Sequence, residues 1–127
     1  MRHIVMGLAA LIALAATTAF GGELSRETTE RIRTASKRME QLSASKVGEY
    51  GKEYLEAAKL SILMAQGAGV SGNEKLALQH AERAELQLSV AVAKAEEKEL
   101  SEEVALNRAE LKKVEAQLDG YMRPEEN

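Results

Sequence analysis

The chain has no cysteine and no tryptophan, a single proline, and only four aromatic residues in 127. Without cysteine there is no disulfide frame, no thiolate nucleophile, no zinc knuckle and no lipidated side chain. Four aromatics leave little for a β-sandwich or a base-stacking platform. An excess of one charge is lacking too: the formal net charge of −3 gives no pull towards nucleic acid or an anionic membrane face. A length of 127 residues holds one small domain rather than a multidomain enzyme. What is present is Ala, Leu, Glu and Lys, with 45% of residues hydrophobic and 29% charged. That composition points to helix.

The N-terminal segment has the pattern of an export signal. Met1-Arg2-His3 is a short basic start, and the thirteen residues Ile4 to Ala16 are all apolar or Gly. Small residues Thr17, Thr18 and Ala19 follow, then Phe20, Gly21 and Gly22. Charge, short apolar run and small-residue exit match a cleaved secretory signal peptide over residues 1–21, with cleavage after Ala19 or Gly21. The run falls short of the roughly 20 residues needed to cross a bilayer core, so no permanent membrane span is expected. Loss of this segment removes Arg2 and leaves sixteen basic and twenty acidic residues, a net −4. The expected location is the periplasm.

Residues 22–119 read as one helical domain. The stripe Leu24, Thr28, Ile32, Ala35, Met39, Leu42 has the spacing of a single helical face, with Ser25 placed to cap its start. Residues 43–51 hold two Gly and two Ser, poor helix-interior residues, and form either a turn or a bend. The stripe resumes through Val47, Tyr50, Tyr54, Ala58, Ile62 and Ala65. A firmer interruption lies at 66–73, with three Gly in six residues and Ser71-x-x-Glu74 in the pattern of a capping box. Residues 73–119 contain no Gly or Pro, which predicts one helix of about 70 Å. Its first half carries a wide Ala-rich face, and its second half a narrow stripe of Leu100, Val104, Asn107, Leu111, Val114 and Leu118. Asp119-Gly120 predicts a stop, and residues 120–127 a flexible tail.

The predicted fold is all-α: an antiparallel helical hairpin, or a small coiled-coil-like bundle of two long or three helices. In the favoured hairpin the chain reverses once, at 67–72. Leu42 then faces about residue 97 and Leu24 about residue 115, so the two narrow stripes meet. In the three-helix alternative the chain also turns at 43–51. The end of the last helix then projects and wants a partner.

No catalytic, metal or cofactor site is expected. His80 has Leu76, Ala77, Arg83 and Ala84 as its helical neighbours, none of them a ligand, which predicts a solvent-facing or rim residue. The acidic run Glu96 to Glu103 wraps around a helix without the turning loop of a Ca²⁺ site, and reads as a solvated face. Tyr50 and Tyr54, four apart, suit packing at the helix junction with their hydroxyls at the rim. Asn107, on an apolar stripe, suits a register-setting role. Gly67, Gly69 and Gly72 lack the Lys-Ser/Thr sequel of a phosphate loop. No Ser or Thr has a His and an acid plausibly beside it, and the basic stretch Arg26 to Arg38 is broken by Glu27 and Glu30.

The segment AAKLSILMAQGAGVSGNEKLALQHAERAELQLSVAVAKAEEKE, preceded by GEYGKEYLE, resembles the bacterial envelope family of unknown function DUF4398. That family has an Ala-rich helical segment, an acidic-Tyr stretch before a second helix, a short Gly-containing turn, and a helix reading Ala-x-x-x-Ala-Glu-x-Ala. Glu49-Tyr50, Leu55, Ala58, Leu60, Ala81-Glu82, Ala84-Glu85 and Ala91 to Ala95 sit at comparable places over residues 30–99. Members are often lipoproteins or carry a peptidoglycan-binding OmpA-like domain. Here no lipobox Cys follows the apolar run, and no second domain is expected. A looser likeness is to small His-rich metal-binding helical proteins of the periplasm, but one His after the signal segment is too few for their function. The resemblance implies a non-catalytic structural or protein-interaction module of the cell envelope, binding an envelope protein or itself. The alternative is a small periplasmic ligand- or metal-binding helical protein.

Overall fold

The computed structural model describes residues 22–123. The signal segment, residues 1–21, and the last four residues of the tail lie outside them. The described chain is all helix: α1 (Arg26–Ser43), the single turn α2 (Val47–Tyr50), α3 (Lys52–Val70) and the long α4 (Glu74–Met122). There is no strand among the described residues.

Constant offsets between contacting residues fix the directions. Ser25 bonds to Glu74, Arg31 to Glu82, Lys46 to Glu99 and Tyr50 to Glu102, always about fifty residues apart. A constant difference means that α1 runs parallel to α4. In α3 the numbers run the other way, with Ser61 bonded to Gln87 and Gly51 against Ala91, so α3 is antiparallel to both. The body is therefore a three-helix bundle. This corrects the single-reversal hairpin: Leu24 lies near the start of α4, against Gly69, and not opposite residue 115. The physical cause is the segment 43–51, which turns the chain instead of bending it. Ser45 Oγ donates to the Leu42 carbonyl and accepts from the Val47 amide, so the helix stops and restarts within a few residues.

Glycine makes that turn possible through space more than through flexibility. A Cβ on Gly51 would lie 2.6 Å from the Ala91 carbonyl oxygen, and one on Gly48 would lie 2.3 Å from the Ser43 carbonyl oxygen. Only a hydrogen fits there. Across the bundle the contact residues are small as well. Ala58, Ala65, Ala77, Ala81, Ala84 and Ala91 are all fully buried, which lets the helices come close, and among the described residues Leu88 is the one large aliphatic side chain buried completely. Two clusters result. One is built around Leu55, Ile62 and Leu88, with Met39, Leu42, Val47 and Tyr54 at its margin. The other joins Ile32, Ala65, Ala68, Ala77 and Ala81 under Leu24.

The second reversal is narrower than the glycine count suggests. Helix α3 persists through Gly67 and Gly69 to Val70, and only Ser71 to Asn73 turn, with Gly72 at φ 70° in the left-handed region that favours glycine. Ser71 does not form the expected capping box. Its hydroxyl donates back to the Gly67 and Ala68 carbonyls at the end of α3, and Asn73 caps α4 by accepting from the Leu76 amide. At the far end the expected stop at Asp119-Gly120 does not occur. Helix α4 continues through Gly120, Tyr121 and Met122, since one exposed glycine costs only ~1 kcal/mol against many turns of established helix.

Candidate interaction surface

At 49 residues α4 is about 73 Å long, far longer than the elements packed on it. Its buried residues run Ala77, Ala81, Ala84, Leu88, Ala91, Ala95 and then end. The next positions on that face are Glu99 and Glu102, which meet Lys46 at 2.8 Å and the Tyr50 hydroxyl at 2.9 Å. These two contacts close the bundle. The Lys46 ammonium is held above its ordinary pKa by hydrogen bonding and attraction to Glu99. The Tyr50 phenol is raised by its hydrogen bond to Glu102.

Beyond them every residue from Leu100 to Arg123 is exposed. This arm, about 35 Å from Leu100 to Met122, carries the narrow stripe seen in the sequence. Leu100, Leu111, Val114 and Leu118 are each 56–60% exposed, and Tyr121 is 89% exposed. The stripe is not a continuation of the core face. At 100° per residue its mean direction is turned about 130° from that of Ala77 to Ala95, away from α3. No other part of the described chain can reach it.

The remaining singled-out residues fall elsewhere. Tyr50 and Tyr54 stand at the junction as expected, Tyr54 packed against the first cluster and Tyr50 bonded at the rim. They border an open groove of about 580 Å³ with Glu49, Glu53, Lys94 and Lys98. Glu97 also lines it, and Lys94 bonds Glu97 at 2.7 Å, which raises the lysine and lowers the glutamate. His80 is half-buried on α4. Asn107 is exposed on the arm, so within one chain it sets no register. Among the described residues no group of three or more His, Cys, Asp or Glu is placed to hold a metal ion. No described helix is long and apolar enough to cross a membrane.

One contact escaped sequence reasoning altogether. Glu74 accepts hydrogen bonds from the Ser25 amide and hydroxyl and from the Thr28 hydroxyl, tying the start of α1 to the start of α4. Those bonds hold its carboxyl below the ordinary range. In the sequence Glu74 looks like a local cap residue, and nothing in the spacing marks Ser25 as its partner. No family model, no curated protein and no solved structure matches the chain.

Proposed function

We propose that this chain is a non-catalytic, exported structural or protein-interaction module of the bacterial cell envelope, of the kind its DUF4398-like segment implies. The observation that carries this reading is the arm. The bundle satisfies its own core, and α4 then extends some twenty residues with large aliphatic side chains aligned on one exposed face. Such a helix is held in water mainly by burying that face, so an exposed stripe at coiled-coil spacing is a surface for a partner. Export is supported by the basic start, the apolar run Ile4 to Ala16 and the small-residue exit.

Two measurements test the reading. Intact mass of the protein recovered from the periplasm is expected to lack residues 1–19 or 1–21, and a membrane-embedded form retaining Met1 to Ala16 overturns export. A photo-crosslinking residue at Leu111 in living cells is expected to give a discrete adduct. The same residue at exposed Lys59 of α3 gives none. Absence of any Leu111 adduct overturns the interaction reading.

A further inference from the structure

The interaction reading leaves the partner open, and the arm itself narrows it. We infer that the arm docks antiparallel on the arm of a second copy of this chain, with Leu111 of each facing Val114 of the other. The inference rests on the interaction reading above and adds the partner and the register.

The stripe has the spacing 4-3-4-3-4-3 from Leu100 to Tyr121, an unbroken heptad pattern. Val104, Leu111 and Leu118 then occupy one core position of the heptad, and Leu100, Asn107, Val114 and Tyr121 the other. Positions flanking the seam carry Glu103, Arg108, Glu110, Glu115 and Gln117. Charge at these flanks decides between the possible pairings. Side by side in the same direction, two arms gain Glu103 against Arg108 but lose as much by bringing Glu110 against Glu115. Antiparallel with Leu111 level with Asn107, Glu110 meets Glu110 and Arg108 meets Arg108. Antiparallel with Leu111 level with Val114, Arg108 meets Glu115 on both sides of the two-fold axis, and Glu110 meets the neutral Gln117. Of these three pairings only the last has attraction and no like-charge contact at the flanks among the described residues.

The length of the arm agrees independently. In that register Val104 is level with Tyr121 of the second copy, and the end of α4 at Met122 is level with Glu103, one residue short of the Tyr50–Glu102 contact. Shifting Leu111 level with Asn107 drives each tip about one heptad further, into the bundle end closed by Lys46 and Tyr50. The seam is short, with one arm's length of apolar side chains on each copy, so the dimer is reversible and concentration-dependent.

The absence of cysteine makes the register directly readable, because any disulfide must come from an introduced residue. The exported protein purified from cells is expected to double its mass in light scattering as concentration rises, and Leu111→Asp to remain monomeric. An equimolar mixture of Val104→Cys and Tyr121→Cys is expected to form a mixed disulfide, while Val104→Cys alone does not. In the antiparallel dimer the two Val104 positions lie about 25 Å apart, beyond disulfide reach. Arg108→Glu and Glu115→Arg should each weaken the dimer by about tenfold, and the double variant should restore it. Efficient crosslinking of Val104→Cys with itself means a parallel pair and overturns the register. A monomer at every concentration overturns the inference outright. If the Leu111 adduct in cells then has the mass of a different protein, the interaction reading stands without it.

Discussion

Leu88 and Leu111 lie on the same unbroken helix, twenty-three residues apart, and one is fully buried while the other is 59% exposed. Both belong to apolar stripes of helical spacing, so residue type and periodicity do not separate them. Their neighbours do. Around Leu88 the face is Ala77, Ala81, Ala84, Ala91 and Ala95, and small residues let α1 and α3 approach closely enough to enclose one large side chain. Around Leu111 the stripe is Leu, Val and Tyr with one polar position, Asn107, and its knobs are too large for close backbone approach. The Ala-rich face seats the chain's own helices, whereas the Leu/Val stripe is covered by no described helix.

The sharpest way to break this contrast is truncation of the two leucines. Leu88→Ala is expected to cost ~2–5 kcal/mol and lower the melting temperature by about 10 °C or more. Leu111→Ala should leave the melting of the bundle within about 2 °C at concentrations where the chain is monomeric. Equal destabilisation by both would mean that the arm is packed after all. The two glycines furthest apart in environment sharpen the comparison next. Gly51→Ala puts a methyl against the Ala91 carbonyl and should destabilise by ~1–3 kcal/mol. Gly120→Ala meets nothing within 4 Å and should add ~0.5–1 kcal/mol of helix stability, visible as helicity of the arm in circular dichroism.

Acid sensitivity offers a third test, and it belongs to the bundle. The Glu74 carboxyl is held below its ordinary value near 4.5 by Ser25 and Thr28 in the folded state. A depressed folded pKa adds stability that is complete above the unfolded value and is lost as pH falls through the folded one. Melting curves of the wild type should therefore decline on acidification through and below that range, and Glu74→Gln should remove part of that slope while lowering stability at neutral pH. An unchanged slope would mean that the Ser25–Glu74 contact contributes nothing. The smallest effect expected is for Arg31→Ala, whose exposed pair with Glu82 spans 3.1 Å and contributes ~0–1 kcal/mol.

The amino-acid pattern made the local elements legible. The stripe from Leu24 to Leu42 is the buried or half-buried side of α1, Ser25 caps it by accepting from Thr28, and the Gly-free run after residue 73 is one helix. Periodicity states which residues share a face, but not which face meets which. Counting outward from residues 67–72 paired two stripes of similar length, because it allowed the chain only one reversal. The sign that it reverses twice lies in Gly48 and Gly51, whose importance is the carbonyl oxygen each must clear, a relation between distant or turned segments that no local preference encodes. The Ser71–Glu74 pair failed for the opposite reason: its local pattern was sound, but Glu74 found better donors on another helix. For the interaction surface, the stripe itself was readable. Its exposure followed only from the three-helix alternative, in which the end of the last helix projects. Periodicity alone did not choose that arrangement, which depends on α1 running parallel to α4 and on the chain turning beside Glu99.

A helix anchored at one end by Lys46–Glu99 and Tyr50–Glu102 and free for the next 35 Å is a cantilever. A tilt of about 10° at those two contacts carries the tip roughly 6 Å sideways, more than the spacing of one helical turn. Any load on Leu118 or Tyr121 returns along the same backbone as a torque on the junction where α2 sits, with no proline in α4 to absorb it. A force applied at the tip therefore acts on the whole bundle through a lever of about 35 Å.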